Sequence, residues 1–132
     1  MKITKKSKIG QIGEEIASNY LENKGYEIIV RNYRKKFGEI DIISRSSNSI
    51  LVFVEVKTLF SAKHVKQENF LSPEDNFTTQ KSNKVKRTCE FFAAKYPELI
   101  EEEKGWRIDL IAIEISDESN DEEPIIRHYE NV

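Results

Sequence analysis

Hydrophobic residues near the start of the chain recur at the spacing of an α-helix. Ile9, Ile12, Ile16 and Tyr20 lie three or four residues apart, and Gly25 follows them where a helix would end. This pattern predicts a helix over about 9–24.

Three short runs rich in β-branched and aromatic residues follow and predict three strands. The third run is apolar on both faces over its first half, which is typical of a central strand buried on both sides. Phe37-Gly38 and the serine- and asparagine-rich segment 46–49 separate the runs, and both favour turns. The predicted strands are Tyr26–Tyr33, Glu39–Arg45 and Ile50–Thr58.

The second half of the chain predicts one more helix and two more strands. The helix covers Thr78–Tyr96, with Pro97 just beyond its end. One face of this helix carries Val85, Cys89, Phe92 and Tyr96. A strongly β-prone run follows at Trp106–Ile115, and a weak edge strand lies at 125–130, centred on Ile125–Tyr129. Residues 59–77 show no periodicity, and 116–123 form a polar, acidic linker.

The elements therefore follow the order α-β-β-β-α-β in one α/β domain over 1–132, with an extra edge strand. Short turns join the first three strands, so we expect these strands to be antiparallel. A helix joins the third strand to the fourth, which favours a parallel, right-handed crossover. The sequence thus predicts a mixed central sheet flanked by helices.

Composition excludes several classes of protein. The chain is 38% hydrophobic and 33% charged, as expected for a soluble globular protein. Its one cysteine excludes an intrachain disulfide and a cysteine-based metal site. No apolar run is long enough to span a bilayer, and the basic N-terminus leads into no apolar signal segment. We therefore expect a cytoplasmic protein without a membrane partner.

The net charge of −2 hides an uneven distribution. Residues 1–66 carry 13 Lys and Arg against 7 Asp and Glu, whereas residues 67–132 carry 8 against 16. Basic residues in the first half could form a face for nucleic acid, and two lysines at the start of the second helix could receive phosphates. Ordinary solvated side chains are the alternative interpretation in both cases. The candidates are Arg34, Lys35, Lys36, Lys81 and Lys84.

Candidate chemistry lies on two neighbouring strands. Asp41 is in the second strand, and Glu55 and Lys57 end the third, where alternation puts both on one face with Cα atoms roughly 6.6 Å apart. Two converging carboxylates repel each other unless a proton or cation lies between them. Mg²⁺ or Mn²⁺ suits such a site, with the Val56 carbonyl as a further oxygen ligand. Lys57 could then position or deprotonate a water molecule or offset charge on a phosphate.

The alternative interpretation is a partly buried ion pair between Glu55 and Lys57, because an isolated E-x-K sequence is short and common. The active-site interpretation requires Asp41 to lie on the same face as Glu55. In an antiparallel hairpin this pairing implies Ser46 opposite Ile50, with 47–49 as a three-residue loop.

Four motifs together resemble the YraN-like family of bacterial proteins. They are G-E-x-x-A-x-x-x-L at 13–21, G-E-I-D-I-I at 38–43, F-V-E-V-K at 53–57 and R-I-D-L-I-A at 107–112. That family is similar to archaeal Holliday-junction resolvases and shares the PD-(D/E)xK nuclease fold. The resemblance covers about 10–115 and implies a restriction-endonuclease-like core in which Asp41, Glu55 and Lys57 match the D…ExK signature. It also implies that Glu14 matches the helical glutamate of the resolvases, as a water-mediated or second-metal ligand.

The resemblance and the residues together predict a metal-dependent endonuclease that hydrolyses phosphodiester bonds in DNA, with branched or flapped DNA suggested by fold analogy alone. One departure from the signature is Glu39-Ile40 before Asp41 in place of proline, although that proline is often missing in the wider superfamily. The first alternative is a non-catalytic nucleic-acid-binding module that retains the fold. The second is an interaction protein whose acidic half docks a partner. A homodimer is left open.

Several residues have simpler interpretations. Glu14 could merely complement the dipole of the first helix. Arg107 and Asp109 alternate on one strand face and are expected to form an ion pair, and Cys89 is expected in the core. His64 is expected at the surface, and the sequence names no partner for His128.

Overall fold

The computed structural model describes residues 8–61, 79–116 and 123–132. His64, most of the aperiodic segment 59–77 and most of the acidic linker 116–123 lie outside these ranges. The elements are α1 (Lys8–Asn23), β1 (Glu27–Lys35), β2 (Gly38–Arg45), β3 (Leu51–Ser61), α2 (Thr79–Lys95), a short 3₁₀ helix (Pro97–Leu99), β4 (Trp106–Ser116) and β5 (Ile125–Tyr129). The predicted order of helices and strands is confirmed. Within the described ranges, no helix is both long and apolar enough to cross a bilayer.

The strands form one five-stranded mixed sheet in the order β1-β2-β3-β4-β5. The pairs β1–β2 and β2–β3 are antiparallel, as predicted from their short connections. β3 and β4 are parallel along their whole length, from Leu51 beside Trp106 to Ser61 beside Ser116, and α2 lies between them in the chain. β5 adds an antiparallel edge beside β4. This arrangement is a mixed α/β fold consistent with a restriction-endonuclease-like core.

The two α-helices of the described residues, α1 and α2, pack on opposite faces of the sheet. Ala17 and Leu21 of α1 pack with Val52 and Val54 of β3 and with Ile111 of β4. On the other face, α2 packs against the alternate positions of β3, in a cluster that includes Phe53, Val85, Cys89, Phe92 and Ile108. Leu51 to Val54 are completely buried, which confirms that β3 is the central strand. Cys89 lies in the core, as expected.

Two glycines let the helices approach the sheet closely. A Cβ atom on Gly13 of α1 would overlap the Thr58 side chain of β3. A Cβ atom on Gly38 of β2 would overlap Thr88 Oγ1 of α2 and crowd the Lys84 carbonyl. Both glycines belong to the sequence motifs that precede the candidate acids, so these motifs set the positions of the helices as well as the chemistry.

Strands β1 and β3 end two or three residues beyond their predicted ends. β1 continues past Tyr33 because Lys35 pairs with Gly38 across a turn of two residues, 36 and 37. β3 continues past Thr58 because its pairing with β4 extends to Ser61. In both cases pairing with a neighbouring strand determines where the strand ends. The β-propensity of the strand's own residues carries no information about that pairing.

Candidate active site and nucleic-acid interface

The β2–β3 hairpin has the predicted register. Ile42 pairs with Val54 and Arg45 with Leu51. At the turn, Ser46 N–H donates to the Ile50 carbonyl at 2.9 Å, and Ser49 has a positive φ of 67°. Residues 47–49 therefore form the expected three-residue loop. The regular pairing ends at Ile42 and Val54, so Asp41 and Glu55 lie just beyond the last pair of this ladder.

The Asp41 carboxylate binds the backbone of the neighbouring strand. Its Oδ2 accepts a hydrogen bond of 2.8 Å from the Val56 N–H, and Val56 lies between Glu55 and Lys57. Ile40 and Ile42 pack in opposite core clusters although strict alternation would put them on one face. The alternation is thus interrupted at Asp41, which is only 4% exposed. Asp41 is fixed against the strand segment that carries the E-x-K sequence.

Glu55 lies on the α2 side of the sheet. It lines a cleft of about 240 Å³ together with Gly38, Glu39, Lys84 and Val85. Burial raises the pKa of the Cys89 thiol on α2, and the negative charge of Glu55 raises this pKa further. Lys57 is two residues further along β3, so alternation places it on the same face, and its side chain is partly exposed. Glu55 therefore faces a cleft rather than the closed core.

Glu14 approaches the sheet from the opposite side. It is 2% exposed on α1, and its neighbour Gly13 contacts β3 at Thr58. The first turn of α1 contains no acidic residue, and Glu14 lies beyond that turn. Because a helix dipole acts mainly within the first turn, this position does not favour the interpretation of Glu14 as a dipole-complementing residue. Its role as a metal ligand stays a prediction.

The donor set at the end of the hairpin suits a hard divalent cation. Asp41, Glu55 and the Val56 carbonyl all offer oxygen, the ligand that Mg²⁺ and Mn²⁺ prefer. The hydrogen bond from Val56 also holds the Asp41 carboxylate in a defined orientation. Among the described residues, no group of three or more His, Cys, Asp or Glu side chains is placed to hold an ion. Mg²⁺ usually takes one or two carboxylates and keeps several waters, so two acids and a carbonyl are compatible with it.

A basic cleft leads to the Glu55 cleft. Arg34, Lys35, Lys36 and Lys84 line it, together with Phe37, Gly38 and Glu39, and its volume is about 300 Å³. Gly38, Glu39 and Lys84 line both clefts, so the two are continuous. The structure thus brings together four of the five basic residues singled out from the sequence. The Lys81 side chain lies outside the described part of the chain.

Arg34 is also paired with an acid at the rim. Its Nε lies 3.3 Å from Glu39 Oε2, and both side chains are more than one-third exposed. Exposed ion pairs of this kind contribute little to stability. The pair therefore leaves the cleft basic without fixing its side chains rigidly.

A second polar cluster lies elsewhere, between β4, β5 and α1. The expected ion pair between Arg107 and Asp109 is confirmed, with Arg107 Nε 2.9 Å from Asp109 Oδ1. No partner is predicted for His128, yet its Nε2 lies 2.7 Å from Asp109 Oδ2 and its Nδ1 lies 3.0 Å from the Tyr20 hydroxyl. The β4–β5 register, with Ile111 beside His128, is the signal that would have found this contact.

Comparison with known proteins finds one family. The family model described as "Uncharacterised protein family UPF0102" matches residues 13–113, which include Glu14, Asp41, Glu55, Lys57 and the basic cleft. A UPF0102 protein of Clostridium botulinum (strain Loch Maree / Type A3) is 39% identical over 105 residues, 80% of this chain and 78% of that protein. Another, of Sulfurihydrogenibium sp. (strain YO3AOP1), is 39% identical over 112 residues, 82% of this chain and 85% of that protein.

Proposed function

The chain belongs to the UPF0102 (YraN) family, and from this premise we propose that it is a divalent-metal-dependent nuclease that hydrolyses phosphodiester bonds in DNA. One observation carries the proposal. The Asp41 carboxylate accepts a hydrogen bond from Val56, the residue between Glu55 and Lys57. This hydrogen bond holds Asp41 against the strand segment that carries Glu55 and Lys57.

Asp41 and Glu55 would hold Mg²⁺ or Mn²⁺, with the Val56 carbonyl as a further ligand. When bound, such an ion polarises a phosphate and lowers the pKa of a coordinated water. Asp41 is almost fully buried. A cation near this carboxylate would reduce its repulsion from Glu55. Glu14, from the other side of the sheet, would act through water.

Lys57 would act on the reacting groups. Its position on the Glu55 face lets its ammonium group hold the attacking water or offset charge on the phosphate oxygens. A partly exposed side chain can reach a phosphate that enters from the cleft. Lys57 is therefore proposed as the residue that contributes chiefly in the transition state.

The basic cleft would bind the DNA backbone. Arg34, Lys35, Lys36 and Lys84 lie along one continuous surface that ends at Glu55. Contacts between Lys or Arg and phosphates position a nucleic acid without reading its sequence. A phosphate bound along this surface would continue toward the carboxylates. A preference for branched DNA rests only on the resemblance to resolvases.

The second candidate function is a nucleic-acid-binding module without catalysis. It is favoured by the ligand count, because the described residues contain no group of three metal-ligating side chains. The basic cleft needs no metal to bind phosphates. Two acids on adjoining strand segments are of no use to such a module, and this favours the nuclease.

Incubation of linear, flapped and four-way DNA with the protein and Mg²⁺ or Mn²⁺ tests the proposal. Cleavage should require the metal, disappear in Glu55→Gln and persist in Glu22→Gln, an exposed glutamate on α1. Binding of all three substrates without metal-dependent cleavage would favour the binding module. Equal loss of activity in both variants would contradict the assignment of Glu55.

A further inference from the structure

Two aromatic rings lie at the rim of the basic cleft. Phe37 is in the turn between β1 and β2 and lines the cleft. Phe91 comes from α2, and the two ring centroids are 5.2 Å apart with an interplanar angle of 65°. Phe91 is 41% exposed, so part of its ring is open to solvent. A hairpin turn and a helix thus converge to present aromatic surface to solvent.

Positively charged side chains lie near these rings. Lys35 Nζ lies 5.6 Å from the centre of the Phe91 ring and 5.3 Å from that of Tyr33. Arg34, Lys36 and Lys84 line the same cleft. An ammonium group over an aromatic face is attracted to it, and it remains available to a neighbouring anion. The surface therefore presents aromatic faces and positively charged groups close to each other.

These aromatic and basic groups suit single-stranded nucleic acid better than a continuous duplex. Proteins that bind single-stranded nucleic acid pair a positively charged groove with aromatic side chains on which bases stack. In an intact duplex the bases are already stacked and paired, so only the phosphates would engage this surface. An unpaired base offers its face to the rings while its flanking phosphates meet the lysines.

We infer that Phe37 and Phe91 form a stacking platform for an unpaired base, so that the substrate class is DNA with a single-stranded segment. The inference rests on the proposed function and deepens it. The platform lies on the cleft that continues to Glu55, so a base held there sets the adjoining backbone along the path to the carboxylates. Selection of substrate and delivery of the phosphate then occur on one surface.

The test measures binding without cleavage. Fluorescence anisotropy with EDTA at fixed salt gives the Kd of the full chain for a single strand, a flapped duplex and a blunt duplex of one sequence. Wild-type protein should bind the first two about tenfold more tightly than the blunt duplex. Phe91→Ala should remove this preference by weakening binding to the single strand, with the blunt-duplex Kd changed less than about twofold. Phe91→Tyr should keep the preference.

Ile12→Ala is the matched control, because Ile12 is a similarly exposed apolar residue (49%) on α1. It should leave the preference intact. Thermal melting of each variant checks folding, and Phe37→Ala replaces Phe91→Ala if the latter does not fold. Equal affinity of the wild type for all three DNAs, or an equal loss on all three in the phenylalanine variants, would overturn the inference. Binding to none of them would also overturn it, and would leave the rings free to dock a protein.

Cleavage assays on the same three DNAs keep this inference separate from the proposed function. Single-strand preference without metal-dependent cleavage would reject the nuclease and keep the platform. Cleavage of all three DNAs without any binding preference would keep the nuclease and reject the platform.

Discussion

His128 Nε2 lies 2.7 Å from Asp109 Oδ2, and this contact joins the edge strand β5 to the interior of the sheet. Asp109 is completely buried. Its other oxygen accepts hydrogen bonds from Arg107 Nε at 2.9 Å and from the Asn131 N–H at 3.0 Å. With Nε2–H donating to Asp109, His128 Nδ1 accepts from the Tyr20 hydroxyl of α1. One buried carboxylate thus connects β4, β5, the C-terminal segment and, through His128, α1.

Removal of this carboxylate should destabilise the fold strongly. Asp109→Ala leaves Arg107 and His128 without their shared acceptor, and breaking a buried ion pair costs about 3–5 kcal/mol. Urea unfolding followed by circular dichroism measures the change in the free energy of unfolding. Glu130→Gln is the matched control, because Glu130 is an exposed acid 3.7 Å from Arg107. Its effect should stay within about 1 kcal/mol, and a similar loss in both variants would contradict the role of Asp109.

Asp109 should also make stability depend on pH in the acid range. Burial acts to raise the pKa of Asp109, but hydrogen bonds from His128, Arg107 and Asn131 outweigh it, so this pKa lies below 3.8. The unfolded chain therefore binds the proton more tightly than the folded protein. The resulting stabilisation is fully present above the ordinary aspartate pKa of about 3.9 and is lost as the pH falls through the lower, folded-state value.

Melting temperatures between about pH 2 and pH 6 test this dependence. The wild type should lose stability steeply at the acid end. Asp109→Asn should start lower and show a shallower acid limb, because it has no proton to gain at this position. An acid limb of unchanged steepness in Asp109→Asn would assign the effect to other carboxylates.

The elements and the hairpin register were predictable because the signals for them are local. Helical spacing in Ile9 to Tyr20, and a turn of fixed length between β2 and β3, need no knowledge of distant residues. The interrupted alternation at Asp41 was not predictable, because it depends on a hydrogen bond to Val56, fifteen residues away. The contacts of His128 with Asp109 and of Phe37 with Phe91 join separate elements, and only the folded arrangement reveals them.

Divalent metal should stabilise the protein through Asp41 and Glu55. An ion that binds only the folded state raises the free energy of unfolding by mass action, by about 2.7 kcal/mol at a concentration one hundred times its Kd. Differential scanning fluorimetry with increasing Mg²⁺ or Mn²⁺ should therefore show a rising melting temperature. Glu55→Ala should abolish this gain, and Glu22→Ala, an exposed position on α1, should keep it. An unchanged metal response in Glu55→Ala would place the ion elsewhere.

Substitutions at Lys57 and in the basic cleft should have different effects on catalysis and on DNA binding. An interaction made mainly in the transition state lowers kcat and leaves ground-state affinity nearly unchanged. Lys57→Ala should therefore slow metal-dependent cleavage about 10²–10⁴-fold and change the Kd for DNA less than about threefold.

Substitution of Arg34, Lys35 and Lys36 together by alanine should instead weaken binding to every sequence. It should also reduce the slope of log K against log salt by about 2–3, since each phosphate contact to a duplex contributes about 0.9. Anisotropy across a salt series and single-turnover cleavage at saturating protein measure the two effects in one preparation. A large Kd change in Lys57→Ala would make Lys57 a binding residue, and an unchanged salt slope in the triple variant would move the DNA path away from this cleft.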